Sequence, residues 1–266
     1  MPKVLITTVP FGDKDRLPLD LLENAGIDYL INPFNKKMTE DQLAEIIPDF
    51  DAIIAGTEPI TKNIMTRATS LKLISRVGIG LDNVDLVAAQ KIGIKVSYTP
   101  DAPSLAVAEL TLGFMLTLLR SVHVSNSQMH QGIWHRFFGK RLEEVTVGII
   151  GVGRIGTGVL ERLKGFSPSK ILVNDIKPNH ELDKKYKLEW SSKVQILKES
   201  DIVSLHIPLT HLTKNMIRKE QLFSMKPDAN IINTSRGGII DEQDLYEVMY
   251  SGHLSGAAID VFEKEP

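Results

Sequence analysis

Three stretches of this chain gather residue types that can do chemistry. The first is Gly151-Val152-Gly153-Arg154-Ile155-Gly156. Val147-Gly148-Ile149-Ile150 supplies a strand before it and Thr157 to Leu163 a helix after it. In a turn of this kind Gly151 permits the tight bend, Gly153 lets a pyrophosphate approach the backbone, and Gly156 lets helix and strand pack closely. The unpaired N–H groups and the dipole of the helix start favour an anion. The next apolar strand, Ile171-Leu172-Val173-Asn174, ends in Asp175, 24 residues after Gly151. A carboxylate there suits a ribose 2′-hydroxyl and repels the extra phosphate of NADP, so the expected ligand is NAD. The bland alternative is a glycine-lined turn that binds nothing; the strand-turn-helix context and Asp175 weigh against it.

The second stretch is Asn233-Thr234-Ser235-Arg236-Gly237-Gly238, directly after the apolar run Asn230 to Asn233. Arg236 is thereby expected at the carboxyl end of a strand, where open α/β sheets bind ligands. A guanidinium in that place can clamp a carboxylate and polarise an adjacent carbonyl. An isolated Arg-Gly-Gly is more often a surface turn. The third is Ala258-Ile259-Asp260-Val261-Phe262-Glu263-Lys264-Glu265-Pro266, in which Asp260 again ends a strand; on spacing alone Glu263 and Glu265 read as solvated.

Composition limits the alternatives. With 266 residues the chain is long enough for one large domain or two ordinary ones. Lys+Arg number 31 against 33 Asp+Glu, a net charge of -2, which argues against a nucleic-acid surface. There is no cysteine, which excludes disulfides, thiolate zinc sites and a cysteine nucleophile. The longest apolar run, Leu110 to Leu119, is too short for a membrane span. With no basic segment ahead of a long apolar one at the N-terminus, a cytoplasmic location is expected.

The elements that must position these residues alternate along the whole chain. Strands are expected at 4–8, 28–31, 52–55, 71–75 and 94–97, then at 145–150, 170–175, 201–207, 230–233 and 256–260. Helices are expected at 17–25, from a capping box Thr39-Glu40-Asp41-Gln42 to Ile47, and at 84–91 up to Gly93. A long apolar helix follows at 104–120, then helices near 155–165, 192–199, 218–225 and 241–251. Near-continuous apolar strands separated by helices predict an α/β protein with two doubly wound parallel sheets. The punctuated Thr99-Pro100-Asp101-Ala102-Pro103 places a domain boundary near residue 100. Residues 121–142 are polar, with Trp134, Phe137 and Phe138 embedded.

Taken together, the motifs resemble the D-isomer-specific 2-hydroxyacid dehydrogenases. The matching stretches are Val77 to Asp85, Ala106 to Leu110, Gly148 to Gly156, Leu205 to Thr210, Asn233 to Gly237 and Gly256 to Pro266. The resemblance implies a flavodoxin-like substrate-binding domain over 1–99. It implies a Rossmann NAD-binding domain over 100–266, with a dimerisation helix and an arm that build a homodimer. It implies hydride transfer between NAD and a small D-2-hydroxy or 2-keto acid. Arg236 would bind the substrate carboxylate and carbonyl, and Glu265 would pair with a histidine acting as general acid or base. Gly151, Gly153, Arg154, Ile155, Gly156, Asp175, Thr234 and Asp260 would meet the cofactor, with backbone contacts near His206 to Pro208. Backbone N–H groups of Val77, Gly78, Ile79 and Gly80 would hold the substrate carboxylate; the same loop also reads as a strand-to-helix turn with Asp82 or Asn83 as N-cap.

One departure is plain. The family's catalytic histidine lies some two dozen residues beyond the glutamate, and none of the seven histidines stands there. The expectation is a fragment of a longer protein lacking its C-terminal return segment, with a natural short form as the alternative. A second expectation, from a different class, is an NAD(H)-binding sensor without turnover. Gly56-Thr57 stands where phosphoglycerate dehydrogenases carry an Arg-Ser pair, and Glu58 adds negative charge, which argues against phosphoglycerate. His123, His130 and His135 have no spacing that completes a metal site, and no metal is expected.

Overall fold

A computed structural model describes residues 1–265, which divide into two compact units, Met1–Pro103 and Ser104 onward. The first unit runs β1 (Lys3–Ile6), α1 (Leu17–Asn24), β2 (Asp28–Ile31), α2 (Glu40–Ile46), β3 (Ala52–Ala55), α3 (Lys62–Arg67), β4 (Leu73–Arg76), α4 (Leu86–Ile92), β5 (Lys95–Tyr98). Its strands pair in the order β2-β1-β3-β4-β5, all parallel. That is the flavodoxin-like order, with its switch point between β1 and β3. Leu5, Ile53 and Ile74 pack on Leu43, Ile47 and Ile64 on one face, while Val4 and Ile6 pack on Leu19 on the other. The central strands β1 and β3 are mostly apolar because helices cover both faces, whereas the edge strands β2 and β5 carry Asp28, Lys95 and Ser97.

Local chemistry places the helix ends. The capping box expected at Thr39 is present: Gln42 N–H reaches Thr39 Oγ1 and Thr39 N–H reaches Gln42 Oε1. Gly93, at φ +89°, stops α4. The N-cap of α4 is Asp85, whose Oδ1 accepts from Ala88 N–H at 2.9 Å, and neither Asp82 nor Asn83 fills that role. The helix starts two residues later than expected because Val84 is drawn into a parallel bridge with Ile60.

The second unit begins with the long helix α5 (Ser104–Leu119) and α6 (Val122–His130), bent 66° from it. No single helix among the described residues is long and apolar enough to cross a membrane. Then come β6 (Thr146–Ile150), α7 (Arg154–Leu163), β7 (Lys170–Asn174), α8 (Glu181–Tyr186), β8 (Glu189–Trp190), α9 (Lys193–Glu199), β9 (Ile202–Leu205), α10 (Lys219–Phe223), β10 (Asn230–Asn233), α11 (Glu242–Tyr250) and β11 (Gly256–Ile259). The sheet runs β11-β10-β9-β6-β7-β8, all parallel. Counted within the unit, this is the Rossmann order 3-2-1-4-5-6.

Both faces of the sheet are filled. Val147, Ile149, Ile202 and Ile232 meet α5 and α7, while Ile150, Val203, Leu205 and Ile231 meet α9, α10 and α11. Each such side chain contributes about 2 kcal/mol relative to exposure, so the unit is held by its doubly covered centre. The sequence reading had no place for α3, α6, α8 or β8. α6 has no buried residue and so no apolar period, and β8 is two residues long.

Candidate functional site

β6, the turn after it and α7 build a cradle. Gly151 sits at φ +99°, and a Cβ there would run into the His206 backbone carbonyl at the end of β9. A Cβ on Gly156 would strike the Gly151 carbonyl, so α7 starts hard against the turn. Gly153 is the N-cap of α7 and offers no side-chain cap; the space in which its Cβ would project is open. Uncapped N–H groups facing open space at a helix start fit a dinucleotide pyrophosphate. Arg154 and Ile155 are the first two residues of the helix. Asp175 follows β7 on the flank of this cradle, its Oδ2 accepting the Val152 N–H at 2.8 Å.

Arg236 stands on a turn at the carboxyl end of β10, and buried Asn233 shapes that turn. Its Oδ1 accepts from Ser235 N–H at 3.1 Å and Ser235 Oγ at 2.8 Å, and its Nδ2 donates to the Arg236 carbonyl at 2.9 Å. Arg236 Nη1 donates to the Ser235 carbonyl at 2.6 Å. A Cβ on Gly237 would overlap the backbone of Phe262 and Glu263. The arginine turn is therefore laid against the segment that carries Glu265. Asp260 N–H bonds the Asn233 carbonyl at 3.0 Å, and Glu265 Oε1 accepts from Phe262 N–H at 3.3 Å. Lost hydration, and then the charge of Glu265, lift the Asp260 carboxyl above its ordinary value.

His206 ends β9, its Nε2 bonded to Ser204 Oγ at 2.9 Å. Its Nδ1 is sealed from solvent with no partner among the described residues. Burial pushes the imidazole down to about 4, so it is neutral near pH 7. Pro208 follows in the loop, where its carbonyl accepts from Thr213 Oγ1 at 2.7 Å.

In the first unit the loop Val77-Gly78-Ile79-Gly80 follows β4. Val77 N–H is committed to the Ala55 carbonyl at 2.9 Å, and Gly78 N–H to Thr99 Oγ1 at 2.7 Å. Two of the four amides expected to face a carboxylate thus serve the loop's own architecture. Ile79 and Gly80 have no acceptor among the described residues and remain available. Beneath the loop Arg76 bonds the Val77 carbonyl and, through Nε at 3.2 Å, Asn83 Oδ1. Asn83 Nδ2 reaches the Gly56 and Glu58 carbonyls. Asn83 is a brace across three loops, a role hidden in the sequence because its partners lie 25 and 27 residues away. Glu58 is buried, its Oε1 taken by Thr7 Oγ1 and by Gly56 N–H. With Lys37 and Arg76 it lines a crevice of about 190 Å³ at the carboxyl ends of β1, β3 and β4. No group of three or more His, Cys, Asp or Glu side chains able to hold a metal occurs among the described residues.

Residues 112–266 match the family model described as D-isomer specific 2-hydroxyacid dehydrogenase, NAD binding domain. A D-3-phosphoglycerate dehydrogenase of Methanocaldococcus jannaschii is 40% identical over 234 residues, 86% of this chain and 44% of that protein, so the chain spans less than half of that relative's length. A hydroxypyruvate reductase of Thermotoga maritima is 38% identical over 255 residues, 93% of this chain and 82% of the relative. Among solved structures, the D-lactate dehydrogenase of Aquifex aeolicus, complexed with NAD and lactic acid, superposes with a TM-score of 0.87 at 26% identity, covering 98% of this chain and 77% of that one. Nothing in these likenesses supports a sensor without turnover. The order of the two sheets, the glycine turn with Asp175 and these matches agree: the chain belongs to the D-isomer specific 2-hydroxyacid dehydrogenase family, with an NAD-binding domain of Rossmann fold.

Proposed function

We propose that the protein is an NAD-dependent oxidoreductase moving a hydride between nicotinamide and a small D-2-hydroxy or 2-keto acid. NAD, when bound, supplies the hydride chemistry. The chain's own residues bind, orient and handle charge. The start of α7, with Gly153, Arg154 and Ile155, holds the pyrophosphate, and Asp175 takes the adenosine ribose. Thr234, Asp260 and the backbone of His206 to Pro208 meet the nicotinamide half. Arg236 holds the substrate carboxylate and polarises its carbonyl; within the first unit, Ile79 and Gly80 keep N–H groups able to donate to an anion. Glu265 would orient, and raise the basicity of, the histidine that the family resemblance places some two dozen residues beyond it, where none of the seven histidines of this sequence stands. In this reading residues 1–99 are the substrate-binding domain and 100–266 the cofactor domain.

The observation that carries this reading is the uncapped start of α7 over an open Gly153, with Asp175 tied to the same turn. A homodimer belongs to the same proposal. The arm after α6 leaves Trp134 and Phe138 exposed, Phe138 completely, as a subunit contact requires. Fluorescence titration with NADH, followed by a panel of glyoxylate, hydroxypyruvate and pyruvate, tests the activity. A protein that fails to bind NADH refutes it; sedimentation as a monomer refutes the dimer.

A further inference from the structure

α5 buries a stripe of residues against the sheet: Ser104, Ala108, Thr111, Met115, Leu118 and Leu119. Thr111 interrupts its apolar part. It is completely buried, and its hydroxyl makes two hydrogen bonds. Thr111 Oγ1 donates to the Val107 carbonyl one turn back at 2.8 Å, and lies 3.0 Å from Oγ1 of Thr234. Thr234, also buried, is the first residue after β10.

The proton count settles the direction of the second bond. A hydroxyl has one hydrogen and two lone pairs. Thr111 spends its hydrogen on Val107, so it can only accept from Thr234. Thr234 in turn spends its own hydrogen on Thr111. What Thr234 has left is lone pairs alone.

We propose that Thr111 is a positioning residue which fixes Thr234 as an obligate hydrogen-bond acceptor for the nicotinamide half of the cofactor. This rests on the reading of Thr234 as a cofactor residue. An acceptor selects a donor, and the donors on that half are the carboxamide NH₂ and the ribose hydroxyls. The adenosine half, held by Asp175, gains nothing from Thr111. A buried threonine that bonds its own helix backbone also has a purely structural role available, and the test is built to separate the two.

Affinities for NADH and for ADP, which lacks nicotinamide and its ribose, are measured on the whole chain by titration calorimetry. Thr111→Val keeps the shape and removes the hydroxyl, so Thr234 loses its acceptor and its proton is no longer directed. The expected result is NADH binding weakened about five- to tenfold, the range of one lost hydrogen bond. ADP binding should be unchanged, and Thr111→Ser should restore NADH. Equal NADH affinity in wild type and Thr111→Val overturns the proposal, as does an equal loss for both ligands or failure of Thr111→Ser to rescue. If the wild type binds ADP but gains nothing from the nicotinamide half, the proposal fails while the adenosine site stands. If it binds neither, the cofactor reading itself fails and takes this proposal with it.

Discussion

Val152 donates its backbone N–H to Oδ2 of Asp175 at 2.8 Å, and Lys177 donates its own to Oδ1 at 2.9 Å. The carboxylate after β7 is thereby locked onto the glycine turn after β6. Its remaining lone pairs suit two ribose hydroxyls, and its charge opposes a phosphate. NADH should bind at least about tenfold more tightly than NADPH, the ratio set by 1.4 kcal/mol. Asp175→Ala should narrow that ratio and also weaken NADH, because the Val152 amide loses its anchor. Dissociation constants for the two dinucleotides decide the matter; equal or tighter NADPH binding by the wild type ends this account of Asp175.

Arg236→Ala should reduce 2-keto acid reduction by about 3 kcal/mol of transition-state stabilisation or more, beyond a hundredfold in rate. NADH affinity should stay nearly constant, since the proposed reading gives the guanidinium to the substrate and the glycine turn to the cofactor. Arg236→Lys should not recover the rate, because a single ammonium cannot span two oxygens as a guanidinium does. A variant with normal keto-acid turnover would move the substrate site elsewhere.

Gly237→Ala probes the contact between the arginine turn and the Glu265 segment. The added methyl meets backbone, not a movable side chain, at Phe262 and Glu263. The segment has to shift, at a stability cost of about 1–3 kcal/mol. Keto-acid reduction should fall while ADP-ribose affinity holds. A fully active, equally stable alanine variant would show that the two segments are not in register for catalysis.

His206 supplies a pH signature. Its folded value of about 4 lies below the ordinary 6.5. Between those values the unfolded chain binds a proton that the folded chain refuses, so this contribution to stability is present above pH 6.5 and lost as pH falls toward 4. From pH 7 to pH 5 the loss is about 2 kcal/mol. Urea unfolding at the two pH values should show that difference in the wild type and a smaller one in His206→Gln. Parallel losses would mean that the imidazole is not shielded.

Much of this was legible in residues, and the gaps have physical causes. Gly151 to Gly156 could be read because backbone geometry demands glycine at fixed spacing. The positions of Asp175 and Arg236 after their strands could be read because each follows a continuous apolar run, and the ends of parallel strands are where such sheets bind ligands. The alternation of apolar runs yielded ten of the strands but not β8, which is too short to carry a period. Asn83 was misread as a cap because Asx residues favour caps locally, whereas its real partners are remote carbonyls. The division of labour within Val77 to Gly80 was also invisible: only the fold shows that Val77 and Gly78 donate inward, to Ala55 and Thr99. Thr111 carries no local signal, because its partner Thr234 lies 123 residues away.

The 266 residues themselves define the last test. They contain the glycine turn, Asp175, Thr234 and Asp260, the residues that the proposed reading assigns to the cofactor. Among the described residues no histidine is in hydrogen-bond contact with Glu265, whose recorded partner is the Phe262 amide. His206, just after β9 and two strands from β11, is neutral near pH 7 and so holds no imidazolium proton to give. A positioned general acid or base is worth about 10² to 10⁴-fold. A chain made to end at Pro266 should therefore bind NADH, seen as a change in nicotinamide fluorescence, yet oxidise it with 2-keto acids at least about a hundredfold more slowly than the hydroxypyruvate reductase relative assayed beside it. If the two rates agree, a residue within 1–266 supplies the proton, His206 and His211 become the first positions to substitute, and the role given to Glu265 is wrong.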